Sequence, residues 1–369
     1  MSAFRYPLSV IIPIHRANLN VERCIDSLLT NDKLDLQIIV AANSDNREEL
    51  YKINRKVRKC YSNTQCVLLL NNCKAGKANA INNALRYVKN EIVLIGDADT
   101  FFYRKGLNKC LSAIFHDKSV VAVTGNVDVY QRNFLSTIQF FEYRRIFRIF
   151  RPLWNRINGN LMISGCAGIF RTKCLFEVGL YDTHTIGEDF EITLRLHDYY
   201  IRHKVDYKIK YINTALAKTD APLDFKSFIK QRKRWFLGFL QVTERYRKIM
   251  LHPKTYHRIF FPFVFSLVTE KWSCYLKWVL IAISIGICVY YGVFPLQGVF
   301  LCFLNLWMFE VIFNCATMKR MKLSDIKYPK VVSLFMLTFC LMAIQFFMKD
   351  TNVFRSPSKR NRPKENKWE

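Results

Sequence analysis

The sequence predicts an α/β fold: a doubly wound, mostly parallel sheet, followed by interfacial helices and a C-terminal bundle of transmembrane helices. Two observations lead to this prediction. Up to about residue 220, short apolar segments alternate with amphipathic ones, which is the pattern of parallel strands covered by helices on both faces. After residue 270, the apolar runs become long enough to cross a bilayer.

Five short segments are predicted to be buried strands, because they are continuously apolar rather than alternating. They are residues 8–14, 36–42, 66–70, 91–96 and 120–124. The amphipathic segments 21–29, 77–88 and 105–115 lie between them and are predicted to be helices. Ligands of doubly wound sheets bind beyond the carboxyl ends of the strands, so functional residues are expected just after each strand.

Three long apolar runs are predicted to cross a membrane, namely residues 276–294, 297–317 and 331–348. An earlier run, residues 259–268, is too short to cross and contains Pro262. We therefore expect an interfacial or re-entrant segment there. The chain is thus expected to consist of a globular domain (1–222), interfacial helices (223–270), transmembrane helices (271–350) and a basic disordered tail (351–369).

The topology of these spans is predicted from their flanking charges. Basic residues 319–322 follow the second span and fit the positive-inside rule if the first two spans form a hairpin. A third span would then leave the basic tail outside. An additional crossing at 259–268, or a re-entrant last segment, would keep the tail inside. We expect three crossings, because long non-helical excursions through lipid are costly.

The charge balance of the chain points to an anionic partner. With 56 Lys and Arg against 29 Asp and Glu, the net charge of +27 suits nucleic acid, an anionic lipid surface or phosphorylated substrates. The 12 cysteines include no C-x-x-C pair and no zinc-site spacing, so free thiols in a reducing compartment are expected. The run at 8–14 contains Pro13, which suits a strand better than an export signal.

The first acidic motif is "GDADT", which follows the predicted strand 91–96. Asp97 and Asp99 are alternate residues at a strand end, so both can reach one hard cation through oxygen ligands. Mg²⁺ or Mn²⁺ would be held there together with substrate phosphates and water. D-x-D also occurs in ordinary loops, but its position at a strand end favours function.

The second acidic motif is "GED" at residues 187–189, just before an amphipathic stretch. Acidic residues at a helix N-terminus can simply be favoured by the helix dipole. In the functional interpretation Asp189, beside Glu188, is a general base, which must lie within hydrogen-bond reach of the hydroxyl that it deprotonates.

Two segments without acids are also expected to contact ligands. "CKAGKANA" places Lys74 and Lys77 around Gly76 at the start of a predicted helix, where backbone N–H groups and an ammonium can bind an anion. "ISGCAGIFR" (163–171) is a glycine-rich turn between apolar stretches, so its backbone can approach a ligand closely.

The motif "QRKRW" (231–235) lies on a predicted helix with Asp224 as its N-cap. Gln231, Arg234 and Trp235 fall at i, i+3 and i+4 and are expected to share a ligand-facing side. Arg232 and Lys233 are expected to point towards lipid headgroups or solvent. The alternative is an amphipathic interfacial helix with Trp235 as a membrane-belt residue.

These motifs together resemble the membrane-bound glycosyltransferases of family 2, which include the hyaluronan, chitin and cellulose synthases. The family pattern is D, D-x-D, [TG]-E-D and Q-x-x-R-W, and this chain has "DAD" at 97–99, "GED" at 187–189 and "QRKRW" at 231–235. "QFFEYRR" (139–145) and "ISGCAGIFR" (163–171) resemble further family segments. The resemblance runs from the first strand to the first membrane segment and implies a GT-A-like fold.

The resemblance implies transfer of a sugar from a nucleotide sugar, with UDP as the expected nucleotide and with inversion at the anomeric carbon. It implies that Asp97 contacts the nucleotide and, with Asp99, the metal, and that Asp189 with Glu188 forms the catalytic pair. Trp235 would stack on the acceptor sugar, and Gln231 and Arg234 would hold the diphosphate or the acceptor end. The donor-binding residues are then Asp97, Lys77, Asn43, Asp45, Gln231 and Arg234, and the acceptor-binding residues are Trp235, Ser164 and Gly165.

One loop departs from the family pattern. Where the family has a "VDDGS" type loop after the second strand, this chain has "VAANSD", with Ala41 and Ala42 at the acidic positions. The contact with uracil is therefore expected from Asn43, from Asp45 or from the backbone.

The leading hypothesis is an integral protein of the plasma membrane whose cytoplasmic domain transfers sugars to a growing β-linked polysaccharide. An alternative is the addition of one sugar to a lipid acceptor, since three spans leave little protein to line a polymer channel. Nucleic-acid binding would explain the charge but not the acidic motifs, so we expect no nucleic-acid partner. The partners are then a nucleotide-sugar donor, a saccharide or lipid-linked acceptor and membrane lipids; the sequence specifies neither the sugar nor the oligomeric state.

Overall fold

The strands of the chain form one sheet, here described from a computed structural model that covers residues 5–15, 20–44, 46–61, 64, 66–72, 76–268, 286 and 290. The strands are β1 (Tyr6–Ile14), β2 (Leu34–Asn43), β3 (Val67–Asn72), β4 (Ile92–Gly96), β5 (Phe101–Phe102), β6 (Val120–Val129), β7 (Ala167–Arg171) and β8 (Lys208–Thr219). Their order across the sheet is β3-β2-β1-β4-β7-β6-β8-β5.

The helices lie between and after these strands. They are α1 (Val21–Leu29), α2 (Arg47–Tyr61), α3 (Lys77–Leu85), α4 (Arg104–His116), α5 (Phe134–Arg145), α6 (Arg151–Asn155), α7 (Thr172–Glu177), α8 (Glu188–Arg202), α9 (Phe225–Arg245), α10 (Lys248–Leu251) and α11 (His257–Ser266). A π-helical turn, Ile146–Phe150, joins α5 to α6. The predicted helix 21–29 coincides with α1, whereas the predicted helix 77–88 ends earlier, at Leu85.

The prediction of a mostly parallel sheet is confirmed for β3, β2, β1 and β4, which pair in parallel in that order. Two strands that the sequence did not predict run the other way: β7, within the segment 163–171 that is predicted to be a glycine-rich turn, is antiparallel to both β4 and β6, and the short β5 is antiparallel to β8. All five residues of β7 are buried. A buried apolar strand has the same pattern whichever way it runs, so apolar pattern alone does not give the direction of β7.

The core lies on both faces of the sheet because successive strand residues point to opposite sides. In β1, Val10 and Ile12 pack in one cluster with Ile25 of α1 and Leu107 of α4. Ile11 faces the other way. It belongs to a second cluster, formed with residues of α3 and α8. This double covering explains why the strands are continuously apolar in sequence.

A third cluster connects the helices that follow the sheet. Phe190 of α8, Val242 of α9 and Ile259 and Phe263 of α11 are buried together. The segment predicted to be interfacial or re-entrant is therefore α11, with Pro262 inside it, and one side of it packs on α8 and α9. Among the described residues, no helix has the length and apolarity to span a membrane. The predicted spans 276–294, 297–317 and 331–348 and the tail lie outside those residues.

Candidate active site

The two aspartates of the first acidic motif lie at the carboxyl end of β4. The backbone N–H of Asp97 donates to the carbonyl of Cys166 at 3.4 Å. The carboxylate of Asp99 accepts a hydrogen bond from Thr219 Oγ1 at 3.1 Å, and its backbone carbonyl accepts one from Arg23 at 2.6 Å. The strand ends of β4 and β8 therefore hold the motif between them.

Lys77, at the first position of α3, joins three of the sequence motifs. Its ammonium lies 2.6 Å from Asp97 Oδ1 and 3.5 Å from Glu188 Oε1, and it donates to the carbonyl oxygen of Gly165 at 2.9 Å. Burial alone would lower the pKa of Lys77, but the charges of Asp97 and Glu188 outweigh burial and raise it. The lysine is therefore a fixed positive charge among the acidic motifs.

Asp189 lies in the first turn of α8, against the glycine-rich turn. Its Oδ2 accepts a hydrogen bond from the N–H of Gly165 at 3.2 Å, and its Oδ1 accepts one from the N–H of Phe190 at 2.8 Å. A Cβ at position 165 would lie 2.8 Å from Asp189 Oδ2, so the close approach requires glycine. Burial and then the charge of Glu188 raise the pKa of Asp189 to about 6, a value suited to a base working near neutral pH.

Asp97 and Asp99 offer the oxygen ligands of a hard cation. Burial and then the charge of Asp97 raise the pKa of Asp99 to about 6, so the two carboxylates repel each other and a divalent cation would relieve that repulsion. No group of three or more His, Cys, Asp or Glu side chains that could hold a metal occurs in the part of the chain that the structure describes. Two carboxylates suit a metal that binds together with substrate phosphates.

Helix α9 brings the QRKRW motif towards Asp189 through a close contact between two glycines. Its N-cap is Asp224, as the sequence predicts, because the Asp224 carboxylate accepts from the N–H of Ser227 at 2.8 Å. A Cβ on Gly238 would lie only 2.9 Å from the backbone nitrogen of Gly187, which immediately precedes α8. Trp235 lies one turn before Gly238 on the same side of the helix.

The prediction that Arg232 points towards headgroups or solvent is wrong. Arg232 is 6% exposed and forms an ion pair with Glu142 of α5, with N–O distances of 2.6 Å and 2.5 Å. Its guanidinium also lies 4.8 Å from the ring centre of Phe228 and 4.7 Å from that of Trp235. Helical spacing predicts the direction in which a side chain points. It does not predict that an acidic residue of another helix lies there, so the sequence pattern missed this ion pair.

The other residues of the motif differ in their surroundings. Trp235 is half-buried, and its ring stacks on Tyr143 of α5 with ring centres 6.4 Å apart and planes inclined by 27°. The side-chain oxygen of Gln231 is buried and has no hydrogen-bond partner within the described residues. Lys233 and Arg234 are exposed. The motif thus provides a stacked indole and a free amide oxygen, with Arg234 at the surface.

The predicted base-binding loop is only partly described. Asn43, at the end of β2, donates from Nδ2 to the carbonyl of Gly76 at 2.7 Å, while its Oδ1 is buried and lacks a partner within the described residues. Asp45 lies outside those residues. Ser164 Oγ, in the glycine-rich turn, is also buried without a partner in the described part of the chain. Asn43 and Ser164 therefore each keep a polar atom available.

Sequence reasoning missed several residues around the site. Thr219 contacts Asp99 from the end of β8, a strand that was not predicted because its apolar residues are interrupted by polar ones. Arg23 of α1 contacts Asp99 and forms an ion pair with Asp220 at 3.0 Å. Thr219 and Asp220 lie at the carboxyl end of β8, where functional residues are expected, so a prediction of β8 would have indicated both. No comparable sequence signal pointed to Arg23.

Comparison with known proteins agrees with these motifs. The model of glycosyl transferase family group 2 matches residues 92–311. The chain belongs to this family. Asp97, Asp99, Asp189 and Trp235 lie inside the matched range, whereas Lys77 lies before it.

Curated relatives of this family member include poly-β-1,6-N-acetyl-D-glucosamine synthases. The one from Staphylococcus aureus strain COL is 29% identical over 234 residues, which cover 61% of this chain and 54% of the relative. The one from Staphylococcus epidermidis is 25% identical over 319 residues, covering 82% of this chain and 73% of the relative. The chain thus spans about half the length of the Staphylococcus aureus relatives that it matches.

A solved structure supports the fold. A mannosyltransferase from Pyrobaculum calidifontis, in complex with GDP-mannose and Mn²⁺, matches with a TM-score of 0.60 and 16% identity. The match covers 94% of this chain and 89% of that one. The mixed sheet of this family member is therefore GT-A-like.

Proposed function

We propose that the chain is an inverting glycosyltransferase that adds sugars from a UDP-sugar to a growing β-linked polysaccharide. The observation that carries the proposal is the position of Lys77, which contacts Asp97, Glu188 and the glycine-rich turn at once and so brings three of the sequence motifs together. The names of the curated relatives favour N-acetyl-D-glucosamine as the sugar.

In this mechanism Asp189 takes the proton from the acceptor hydroxyl. The hydroxyl oxygen then forms a bond to the anomeric carbon of the donor from the face opposite to the leaving group. The bond between that carbon and the phosphate oxygen breaks, and the nucleoside diphosphate departs with the electron pair. The hydrogen bonds from Gly165 and Phe190 hold the Asp189 carboxylate in one orientation for this step.

The departing diphosphate needs positive charge. Asp97 and Asp99 would hold Mg²⁺ or Mn²⁺, which supplies Lewis-acid stabilisation of the leaving group. Lys77 offers an ammonium at the N-terminus of α3, where backbone N–H groups also favour anions. When phosphate oxygens enter, Lys77 can exchange its contact with Asp97 for one with the phosphate.

The acceptor sugar would lie against Trp235. The indole stacks on Tyr143, and the guanidinium of Arg232 lies over it at 4.7 Å from the ring centre, so its orientation is fixed before a ligand binds. An indole face suits the C–H face of a sugar ring. The free amide oxygen of Gln231 and the free hydroxyl of Ser164 would accept or donate hydrogen bonds to sugar hydroxyls.

We also propose that the side formed by α6 and α11 contacts the membrane. Leu153 and Ile157 after the π-helical turn, and Phe261 and Val268 of the α11 region, are all exposed. Trp154 packs between them, with its ring centre 5.7 Å from that of Phe261. Exposed aromatic and aliphatic side chains at the end of the domain are suited to an interface. The division into a cytoplasmic domain 1–222, helices 223–270, spans 271–350 and tail 351–369 is kept as part of this proposal.

The proposal is tested with membranes that contain the full chain. Labelled UDP-N-acetylglucosamine, UDP-glucose and GDP-mannose are supplied in turn, with Mn²⁺ or with excess chelator, and the product is sized. We expect polymer from UDP-N-acetylglucosamine and none in chelator. A product extended by a single sugar would favour the lipid-acceptor alternative, and transfer from none of the sugar nucleotides would contradict the proposal.

A further inference from the structure

Three arginines on the segment from α5 to α6 have no acidic partner. Arg144, Arg148 and Arg151, here called the arginine row, form no ion pair with any residue in the part of the chain that the structure describes. Other arginines near the site do have such partners: Arg23 pairs with Asp220, and Arg232 with Glu142. Among the described residues, the row is therefore positive charge without an ion-pair partner, in contrast to Arg23 and Arg232.

Arg151 is buried and Arg144 is half-buried, and each has a buried hydrogen-bond donor that is unused among the described residues. Arg151 is 7% exposed, and its Nη1 is buried without a partner among the described residues; its guanidinium lies 5.5 Å from the ring centre of Phe147. Arg144 Nε is likewise buried and unpartnered in the described chain, with its guanidinium 4.5 Å from the ring centre of Phe140. Burying an unpaired cation is costly, so we expect an anionic group to complete the row.

The row leads to the acceptor side of the catalytic base. The guanidinium of Arg151 lies over the ring of Phe147, the Phe147 ring meets that of Tyr143 edge-on with ring centres 5.7 Å apart, and Tyr143 stacks on Trp235, the proposed acceptor platform. Burial lowers the pKa of Arg151 to about 10. Arg148 is exposed, and it affects the pKa of both Arg144 and Tyr211. The positive charge therefore extends from the surface at Arg148 to the buried Arg151.

We propose that the arginine row binds phosphate attached to the acceptor sugar when the polysaccharide is started, so that the first acceptor is a glycosyl phosphate or glycosyl diphosphate whose hydroxyl lies at Asp189. A guanidinium pairs with two phosphate oxygens at once, and Arg151 has an unused buried donor for such a pair. A neutral sugar chain would leave the cation unpaired. The inference rests on the proposed glycosyl transfer and names the class of acceptor for the same site.

The test measures binding of acceptor analogues to the full chain in detergent, without any donor. The probes are N-acetylglucosamine linked through a diphosphate to a short prenol, soluble N-acetylglucosamine 1-phosphate, the neutral methyl glycoside of N-acetylglucosamine, and inorganic phosphate. The variants are Arg151→Gln and Arg151→Lys, with Arg156→Gln as the control, because Arg156 is an exposed arginine at the end of the same helix.

We expect Arg151→Gln to weaken binding of both sugar phosphates by about tenfold or more, the size of a lost charge-assisted pair. Arg151→Lys should recover part of the affinity, and Arg156→Gln should match the unsubstituted chain. Binding of the methyl glycoside should not change. Because Arg151 forms no ion pair with the residues that the structure describes, Arg151→Gln should not lower the melting temperature, whereas loss of a structural arginine would lower it.

Comparing the two sugar phosphates distinguishes a lipid-linked phosphate from a soluble sugar phosphate as the natural ligand. Tighter binding of the prenyl form indicates a lipid-linked acceptor, and equal binding indicates that the sugar phosphate suffices; either agrees with the proposal. Inorganic phosphate binding as tightly as the sugar phosphates, or equal losses in Arg151→Gln and Arg156→Gln, would overturn it.

Failure of this inference can be told apart from failure of the proposed function by measuring transfer as well. If the chain transfers sugar to neutral acceptors and Arg151→Gln does so equally well, the arginine row has no acceptor role although the transferase function stands. If sugar phosphates bind through Arg151 but no sugar nucleotide supports transfer, the proposed function fails and the anion site remains. Binding of UDP-N-acetylglucosamine should be equal in both proteins, because its diphosphate is assigned to Asp97, Asp99 and Lys77.

Discussion

At the scale of single residues, the site depends on how tightly the chain holds Asp189. Its carboxylate accepts two backbone hydrogen bonds and touches Gly165 so closely that no side chain fits there. Asp189→Asn keeps this shape but cannot accept a proton. We expect transfer to fall by about 10²- to 10⁴-fold, the usual contribution of a general base, while binding of the sugar nucleotide survives. Turnover close to that of a Glu244→Gln control, an exposed site on α9, would remove Asp189 from the mechanism.

The pH dependence of transfer follows from the same side chain. Asp189 must be ionised to act as a base, and burial raises its pKa to about 6. The rate should therefore rise as pH increases through about 6 and level off above that. A profile that is flat between about pH 5 and pH 8 would show that another group takes the proton.

The ionisation of Asp189 affects the stability of the fold in the opposite direction: the transfer rate should rise with pH, whereas the contribution of Asp189 to the free energy of unfolding should fall. Because its pKa in the folded chain lies above the ordinary value of 3.8, the folded chain holds this proton more tightly than the unfolded chain does. Its stabilising contribution is therefore full below pH 3.8 and is lost as pH rises through about 6. Asp189→Asn cannot ionise, so its melting temperature should exceed that of the unsubstituted chain at pH 8 but not at pH 4. Equal differences at both pH values would contradict the raised pKa.

At the scale of elements, the contact between α8 and α9 determines the distance between base and indole. Gly238→Ala would place a Cβ 2.9 Å from the Gly187 backbone, where only movement of a helix makes room. Alanine in a helix is normally stabilising by about 1 kcal/mol, but here we expect a loss of about 1–3 kcal/mol from overpacking. Transfer should fall further than stability explains, since α9 carries Trp235. Lys233→Ala, at an exposed position of the same helix, should change neither the free energy of unfolding nor transfer.

The ion pair between Arg232 and Glu142 joins α9 to α5 and should matter through its burial. Removing one partner leaves an uncompensated buried charge, so Glu142→Gln should lower the free energy of unfolding by about 3–5 kcal/mol. The double variant Glu142→Met with Arg232→Met should lose much less than the sum of the two single variants. Denaturant unfolding measures the free energy of unfolding of the single and double variants. Additive losses would mean that the pair is not coupled, and Arg234→Ala provides an exposed reference.

The strands and helices also show which parts of the fold can be predicted from the sequence. The first four strands and α1 can be predicted from local sequence. In residues 8–14, for example, every residue is buried, and a continuously apolar run of this length is typical of a buried strand. The close arrangement of Asp97, Lys77 and Asp189 follows from strand and helix ends. The direction of β7 and the partner of Arg232 cannot be predicted in this way, because both depend on elements that are distant in the chain. Such contacts are decided by tertiary packing.

At the scale of the whole molecule, the net charge of +27 is consistent with two anionic partners. Phosphate groups of the substrates need cations at the site, and a membrane surface attracts basic side chains outside it. The arginine row runs directly into α6, which begins at Arg151 and carries the exposed Leu153 of the proposed membrane side. A lipid-linked acceptor would reach both features from the same membrane.

The last prediction concerns the side of the membrane on which the tail lies. Three crossings at 276–294, 297–317 and 331–348 place the domain and the tail on opposite sides. Sugar nucleotides are cytoplasmic, so we expect the domain to be inside and the tail to be outside. An impermeant thiol reagent should therefore label Ser358→Cys in intact cells and label Lys233→Cys, on the exposed side of α9, only after permeabilisation. The unsubstituted chain corrects for its 12 native cysteines. If both positions need permeabilisation, the number of crossings is even, and the basic tail obeys the positive-inside rule after all.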